Sequence, residues 1–331
     1  MAVSDYAVYT PAKGLREDLS NTIYNIAPTE TPVVSSIGKT KATATIHQWQ
    51  TDTLGAATNN ALIEGDAAGS FTPVATVQAV NKTQIMGKVV NVSGTLDAVD
   101  KAGRKTETAY QLAKAGQELK RDIEKSILGN VAPVTGSAVA ARKLASIQTW
   151  IQTNWTSAQT TVAAGKPAAP TGAPGTAIRT ATLTANTVVF SEAALKIAVK
   201  KVFEAGGNPT MLVVPPHQKQ VVSSFAGIAE QRYAAPKKAQ TTIIGAADVY
   251  LSDFGVLSVV PDRFMTPDYA VNGEQALLID PTMLSIATLR PFQSTLLSKD
   301  GDRTTHQMLT ELTLQVNNEA AHGIVADLTA T

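Results

Sequence analysis

Two stretches near the start of the chain, KATATIHQWQ at 41–50 and VATVQAVNKTQIMGKVVNVSG at 74–94, set the strongest limit on what this sequence can fold into. Both are rich in Val, Thr and Ile and lack a helical repeat, so they read as strands. The loop-like TLGAATNNALIEGDAAGS between them completes a long hairpin. A strand normally hides itself behind one apolar face. Here Thr43, Thr45 and His47 fall on one side and Ala42, Ala44 and Gln48 on the other, so neither face is a stripe that a core would hold. The expectation is an arm that projects from its own globule and docks on a neighbour.

The core must then come from elsewhere. From Thr106 to Leu128 the repeat turns helical, with Leu112, Leu119, Ile123 and Ile127 along one stripe. Lys114 with Glu118 and Lys120 with Glu124 form i,i+4 pairs on the wet side, and Gly129-Asn130 supplies the stop. A second short helix is expected over 143–152. Near the end, HQMLTELTLQVNNE at 306–319 alternates Met308, Leu312, Leu314 and Val316 with Glu311, Thr313, Gln315 and Asn317, which predicts a half-buried strand lying on the long helix.

Residues 156–187 dissolve into Ala, Thr, Gly and Pro and read as linker. Beyond them Ser191 caps a helix with Leu195, Ala198, Val199 and Val202 on one face, and Gly206-Gly207 ends it. MLVV at 211–214 reads as a buried strand, Pro215-Pro216 opens a helix carrying Val221, Val222 and Phe225, and short strands follow at 247–251, 255–260 and 276–279. The class is α+β. The leader, with Leu15, Leu19, Ile23 and Ile26 on one side and Pro28 behind them, is too short to stand as a free helix.

Chemistry has little to stand on. Cysteine is absent, which excludes disulfides, thiolate metal sites and thiol nucleophiles. The histidines His47, His217, His306 and His322 are scattered without an HExxH. Gly165-Lys166 fails as a phosphate loop because Thr160 and Pro167 stand where Gly and Ser or Thr are required. Neither GxSxG nor GxGxxG occurs, and DGD at 300–302 reads as a turn. No catalytic, cofactor or metal site is expected, and the chain is read as not an enzyme. Charged residues make up 17%, against about 25% in a typical soluble domain, so little surface is reserved for water and neighbours are expected to cover much of it. Lys plus Arg (28) nearly balances Asp plus Glu (27), so any contact with nucleic acid should be weak and non-specific. With no basic start followed by an apolar run, and no eighteen apolar residues together, the expectation is a soluble protein made in a bacterial cytoplasm, with no membrane partner.

The leader GLREDLSNTIYNIAPTETPVVSSIG at 14–38, the strand ending in Trp49 followed by TDTL, and the closing DGDRTTHQMLTELTLQVNNEAAHGI at 300–324 resemble the SU10-type major head proteins of tailed phages. That resemblance implies the HK97-like capsid fold. It implies an N-terminal arm at 1–40, an extended loop at 41–95, a peripheral domain at 96–187 and 286–331 with the long helix as its spine, and an axial domain at 188–285. The implied partners are other copies of the chain in pentamers and hexamers, a portal protein, a decoration protein and packaged double-stranded DNA, and the implied location is the virion. Because the extended loop begins near residue 41, a separate scaffolding protein and no N-terminal maturation cleavage are expected. Contacts between subunits are expected at Leu15, Leu19 and Ile23 for the arm, Trp49 for the extended loop, and Arg232, Lys237 and Lys238 between axial domains. Two other readings stay open: an encapsulin-like compartment shell and a cytoplasmic α+β enzyme.

Overall fold

The computed structural model describes residues 29–61, 63–65, 73, 75–101, 103–157, 174–175, 188–225, 248–265, 275–299 and 301–329. The chain enters through a short helix, α1 (Pro32–Ser36), whose Pro at the first turn sacrifices no hydrogen bond, and runs into β1 (Gly38–Lys41). β2 (Ile46–Thr51) and β3 (Val77–Lys82) pair antiparallel, from Ile46 opposite Lys82 to Thr51 opposite Val77. Thr83 interrupts the strand, and β4 (Gln84–Ser93) leaves the hairpin for the main sheet. Ser93 then caps α2 (Gly94–Ala98), its Oγ accepting from the Leu96 N–H at 3.3 Å. The long helix α3 (Glu107–Leu128) and the one-turn α4 (Ile147–Trp150) follow.

After β5 (Trp155–Ser157), α5 (Glu192–Glu204) starts at Ser191, whose Oγ accepts from the Ala194 N–H at 3.2 Å. It ends in a Schellman turn: Gly206, at φ +87°, donates to the Phe203 carbonyl and Gly207 to that of Val202. β6 (Met211–Val214), α6 (Pro216–Ser223), β7 (Val249–Ser252), β8 (Gly255–Pro261) and β9 (Ala276–Ile279) come next. The chain finishes with β10 (Leu284–Leu296), β11 (Arg303–Val316) and β12 (Gly323–Ala326).

Three sheets result. A four-stranded sheet has the order β1-β10-β11-β4, with β1 parallel to β10 and the other pairs antiparallel. Its inner face meets α3: Leu119, Ile123 and Ile127 pack in one core with Met86, Ile286, Leu312, Leu314 and Val316. A six-stranded sheet has the order β5-β12-β9-β6-β8-β7. Its central strands are apolar on both faces. Leu212, Val214, Ala276, Leu278 and Val325 pack with α5, whereas Val213, Leu277, Ile279 and Ile324 turn the other way, into the core of α3. Each fully buried Leu or Ile contributes about 1.5–3 kcal/mol, so the shared layer binds the two halves firmly. β2 and β3 form the third sheet.

The structure departs from the sequence reading at four places. The expected hairpin is confined to β2 and β3, because β4 does carry an apolar stripe, Met86, Val90 and Val92, that seats it on the main sheet. β11 is covered on both faces from Thr310 to Leu314, because the β2–β3 hairpin lies over its polar side. Glu124 turns inward and is fully buried instead of pairing with Lys120. β5 and β12, which the sequence reading did not single out as strands, bond into the six-stranded sheet, where a four-residue apolar strand such as β12 can be buried on both sides. The leader segment around Leu15, Leu19, Ile23 and Ile26 lies outside the described residues, as does most of the 156–187 stretch.

Candidate interaction surfaces

Trp49 joins the root of the hairpin to its own chain. Its Nε1–H donates to the Val316 carbonyl at 2.8 Å, and its ring lies 5.2 Å from Trp150 and 5.7 Å from His47. His47 Nε2 and Gln315 Oε1 are 2.7 Å apart. Asn81, with no exposed surface, donates to the carbonyls of Leu314 and Ala145 at 2.6 and 3.3 Å and accepts from the Ala145 N–H at 2.8 Å. The inner face of the hairpin is therefore held by hydrogen bonds, which is why a search for an apolar stripe passes over it. Elsewhere the hairpin stands clear: Ile46, Val77 and Val80 are exposed on its strands, Leu54 beyond them is 99% accessible and Ile63 78%.

Glu311 knots the hairpin to the main sheet. Its carboxylate accepts from Thr83 Oγ1 at 2.7 Å, from Arg290 Nε at 2.8 Å and from Arg142, and Arg142 Nε also donates to the Thr83 carbonyl at 2.6 Å. The β10–β11 register shifts on both sides of Arg290, so the ladder bends where the knot grips it. Beyond the bend the pair runs out into solvent with Phe292, Leu296 and Leu297 exposed. A third apolar area lies on β7, the edge of the six-stranded sheet. Val249, Leu251 and Val256 are exposed there, beside Phe203 and Phe254, whose rings sit 4.6 Å apart. Open edges with apolar side chains are places where other chains add.

The buried ionisable groups hold backbone amides. Both oxygens of Glu124 accept backbone N–H groups, from Val33 and Val34, at 2.8 Å each. Burial and the facing Asp262 carboxyl push the pKa of Glu124 up to about 8. Burial also raises Asp262. His322 accepts from the Asp280 N–H through Nδ1 at 3.3 Å, and burial lowers it to about 4. Among the described residues no three His, Asp or Glu side chains converge as a metal site, and no helix is long and apolar enough to cross a membrane.

Of the residues expected from sequence to touch neighbours, Trp49 is placed at the hairpin root, half-buried. Leu15, Leu19, Ile23, Arg232, Lys237 and Lys238 lie outside the described residues. Sequence reasoning missed Glu311, Asn81 and Glu124. The one signal for Glu311 was its position on the polar side of a strand too long to lie free on a surface.

The SU10 major capsid protein family model matches residues 4–329. The major capsid protein of Escherichia phage Phieco32 is 42% identical over 120 residues, a span of 36% of this chain and only 34% of that protein. Among solved structures, the capsid asymmetric unit of cyanophage A-1(L) superposes with a TM-score of 0.69 at 13% identity, covering 97% of this chain and 99% of that one. The holo-SrpI encapsulin complex from Synechococcus elongatus PCC 7942 gives 0.55 at 10% identity, with coverage of 100% and 98%. Likenesses at such low identity speak to the fold alone, and that fold is the HK97-like α+β capsid fold. With a family match running almost from end to end, the chain belongs to the SU10 major capsid protein family.

Proposed function

We propose that this chain is the shell-forming subunit of a tailed-phage head, closing into pentamers and hexamers around double-stranded DNA, and that it works by contact and not by catalysis. The observation that carries the reading is the trio of exposed apolar extremities, at the β2–β3 hairpin, the outer β10–β11 pair and the β7 edge, on a chain of this family. A heterologous contact repeated by rotation closes a ring, and arms reaching past the ring tie rings together. Once one contact has formed the next is effectively intramolecular, so modest contacts add up to a firm shell. Near-neutral net charge, +1, suits an inner wall that faces DNA without gripping it.

In this reading residues 1–40 are the N-terminal arm and 41–95 the extended loop. Residues 96–187 with 286–331 form the peripheral domain, and 188–285 the axial domain. Leu15, Leu19 and Ile23 dock the arm on a neighbour, Trp49 anchors the extended loop, and Arg232, Lys237 and Lys238 make polar contacts between axial domains. Family membership alone supports a scaffolding protein, a portal protein and a decoration protein as further partners, and a final place in the virion after synthesis in the host cytoplasm. The test is electron microscopy and sedimentation of the protein expressed with its phage's assembly proteins. Closed shells are expected; a small oligomer under every assembly condition would overturn the reading. Particles filled with protein cargo and unlinked to phage DNA would favour the encapsulin alternative. Deleting residues 1–30 should abolish shells, and charge reversal at Lys237 and Lys238 should impair them; normal shells in either case would remove that assignment.

A further inference from the structure

Glu124 and Asp262 come from distant parts of the chain, each has 0% of its surface exposed, and their carboxyl groups lie within hydrogen-bond reach of each other. The two Glu124 oxygens hold the Val33 and Val34 amides. Asp262 Oδ1 accepts from the Phe264 N–H at 2.7 Å, while its backbone N–H donates to the Val214 carbonyl at 2.9 Å. Its Oδ2 is buried and has no donor among the described residues. Two carboxyl groups in contact away from water need a proton between them, since two charges there would repel in a dry setting.

We propose that the Glu124–Asp262 pair, joined by one shared proton, is a catch that fastens residues 31–37 to α3 and to the turn after β8, and that loss of this proton opens it. The surrounding charges leave the proton to do the work. α1 carries no ionisable residue; on α3, Lys120 and Lys125 are exposed and Arg121 stacks 5.7 Å from the Phe264 ring; in the turn, Arg263 is exposed. With the proton in place the pair carries a single negative charge, stabilised by the two amides. Without it two adjacent carboxylates must separate, and the grip on Val33 and Val34 goes with them. Residues 31–37 connect residues 1–28 to the body, so an open catch would free the root of the proposed arm. That consequence rests on the capsid reading; the catch itself does not.

The test is hydrogen exchange of the peptide covering residues 31–37 as pH rises, corrected for intrinsic rates, with β6 as an internal control. In the wild type, protection should fall about tenfold per pH unit between about pH 4.5 and pH 8, the slope of one linked proton, and level off above that. Asp262→Asn supplies a permanent N–H donor to Glu124, and the slope should vanish. Protection of the wild type that does not vary with pH, or an unchanged slope in Asp262→Asn, would overturn the proposal. Should that variant fail to fold, infrared spectra of the wild type decide: a buried protonated-carboxyl band lost above about pH 8 supports the catch, and absence of the band overturns it. Exchange at residues 31–37 is read whether or not shells form, so failure here is distinct from failure of the capsid reading.

Discussion

Glu311 faces Arg142 and Arg290 at once, so Glu311→Ala leaves two guanidiniums close together with no carboxylate between them. Removing one partner of a buried ion pair costs about 3–5 kcal/mol, and the low end applies here because both arginines keep some contact with solvent. Urea denaturation checks this, and a loss under about 1 kcal/mol would mean that the knot is only a surface ion pair. Two buried groups set the pH limits of the fold with opposite signs. Glu124 keeps its proton in the folded protein up to about pH 8, against about 4.5 for an ordinary glutamate. Its contribution is therefore full below about pH 4.5 and is lost as pH rises through 8. His322 stays neutral down to about pH 4, against about 6.5 for an ordinary histidine. Its contribution is present above about pH 6.5 and is lost as pH falls through 4. Thermal midpoints should thus peak between the two limbs; Asp262→Asn should flatten the alkaline limb and His322→Asn the acid one. None of these residues was legible in the sequence, because nothing in a one-dimensional pattern distinguishes a carboxylate that pairs with a neighbour four residues away from one that turns inward to a segment 90 residues away.

At the scale of elements the sequence was most readable where a repeat and a cap agree. Ser191, Leu195, Ala198, Val199, Val202 and Gly206-Gly207 marked α5 from end to end, and the α3 stripe located the main core. Ser191→Ala should cost about 1 kcal/mol, the usual worth of an N-cap, measured by chemical denaturation; no change would show that the flanking sheet alone fixes the helix start. Where the reading fell short, polar groups replaced apolar ones in holding an element down. The β2–β3 hairpin is seated by Asn81, His47 and the Trp49 N–H, and hydrophobic patterning is blind to such contacts. β10 escaped notice because its outer half, RPFQSTL, is exposed and has no inward stripe. Replacing residues 52–76 with a short turn should leave β2 and β3 paired and the fold intact, as judged by circular dichroism and the denaturation midpoint, while shells fail to form. Collapse of the fold itself would instead make the hairpin tip part of the core.

For the molecule as a whole, the shared α3 layer accounts for a sound globule, and under the proposed function the three exposed extremities are where sister subunits attach. Low charge content, read from sequence as surface awaiting cover, corresponds in the structure to apolar side chains such as Leu54, Leu251 and Leu296 standing in solvent. The α+β class and the helices α3, α5 and α6 could be read from the residues; which extremities stay bare could not, since that depends on how the strands share out the available cover. Hydroxyl-radical footprinting of these three leucines in assembled particles and in unassembled protein tests the central claim most directly. All three should lose several-fold in labelling on assembly while buried Leu119 stays unlabelled in both; equal labelling of the three in particles and free chains would mean that sister subunits do not cover them.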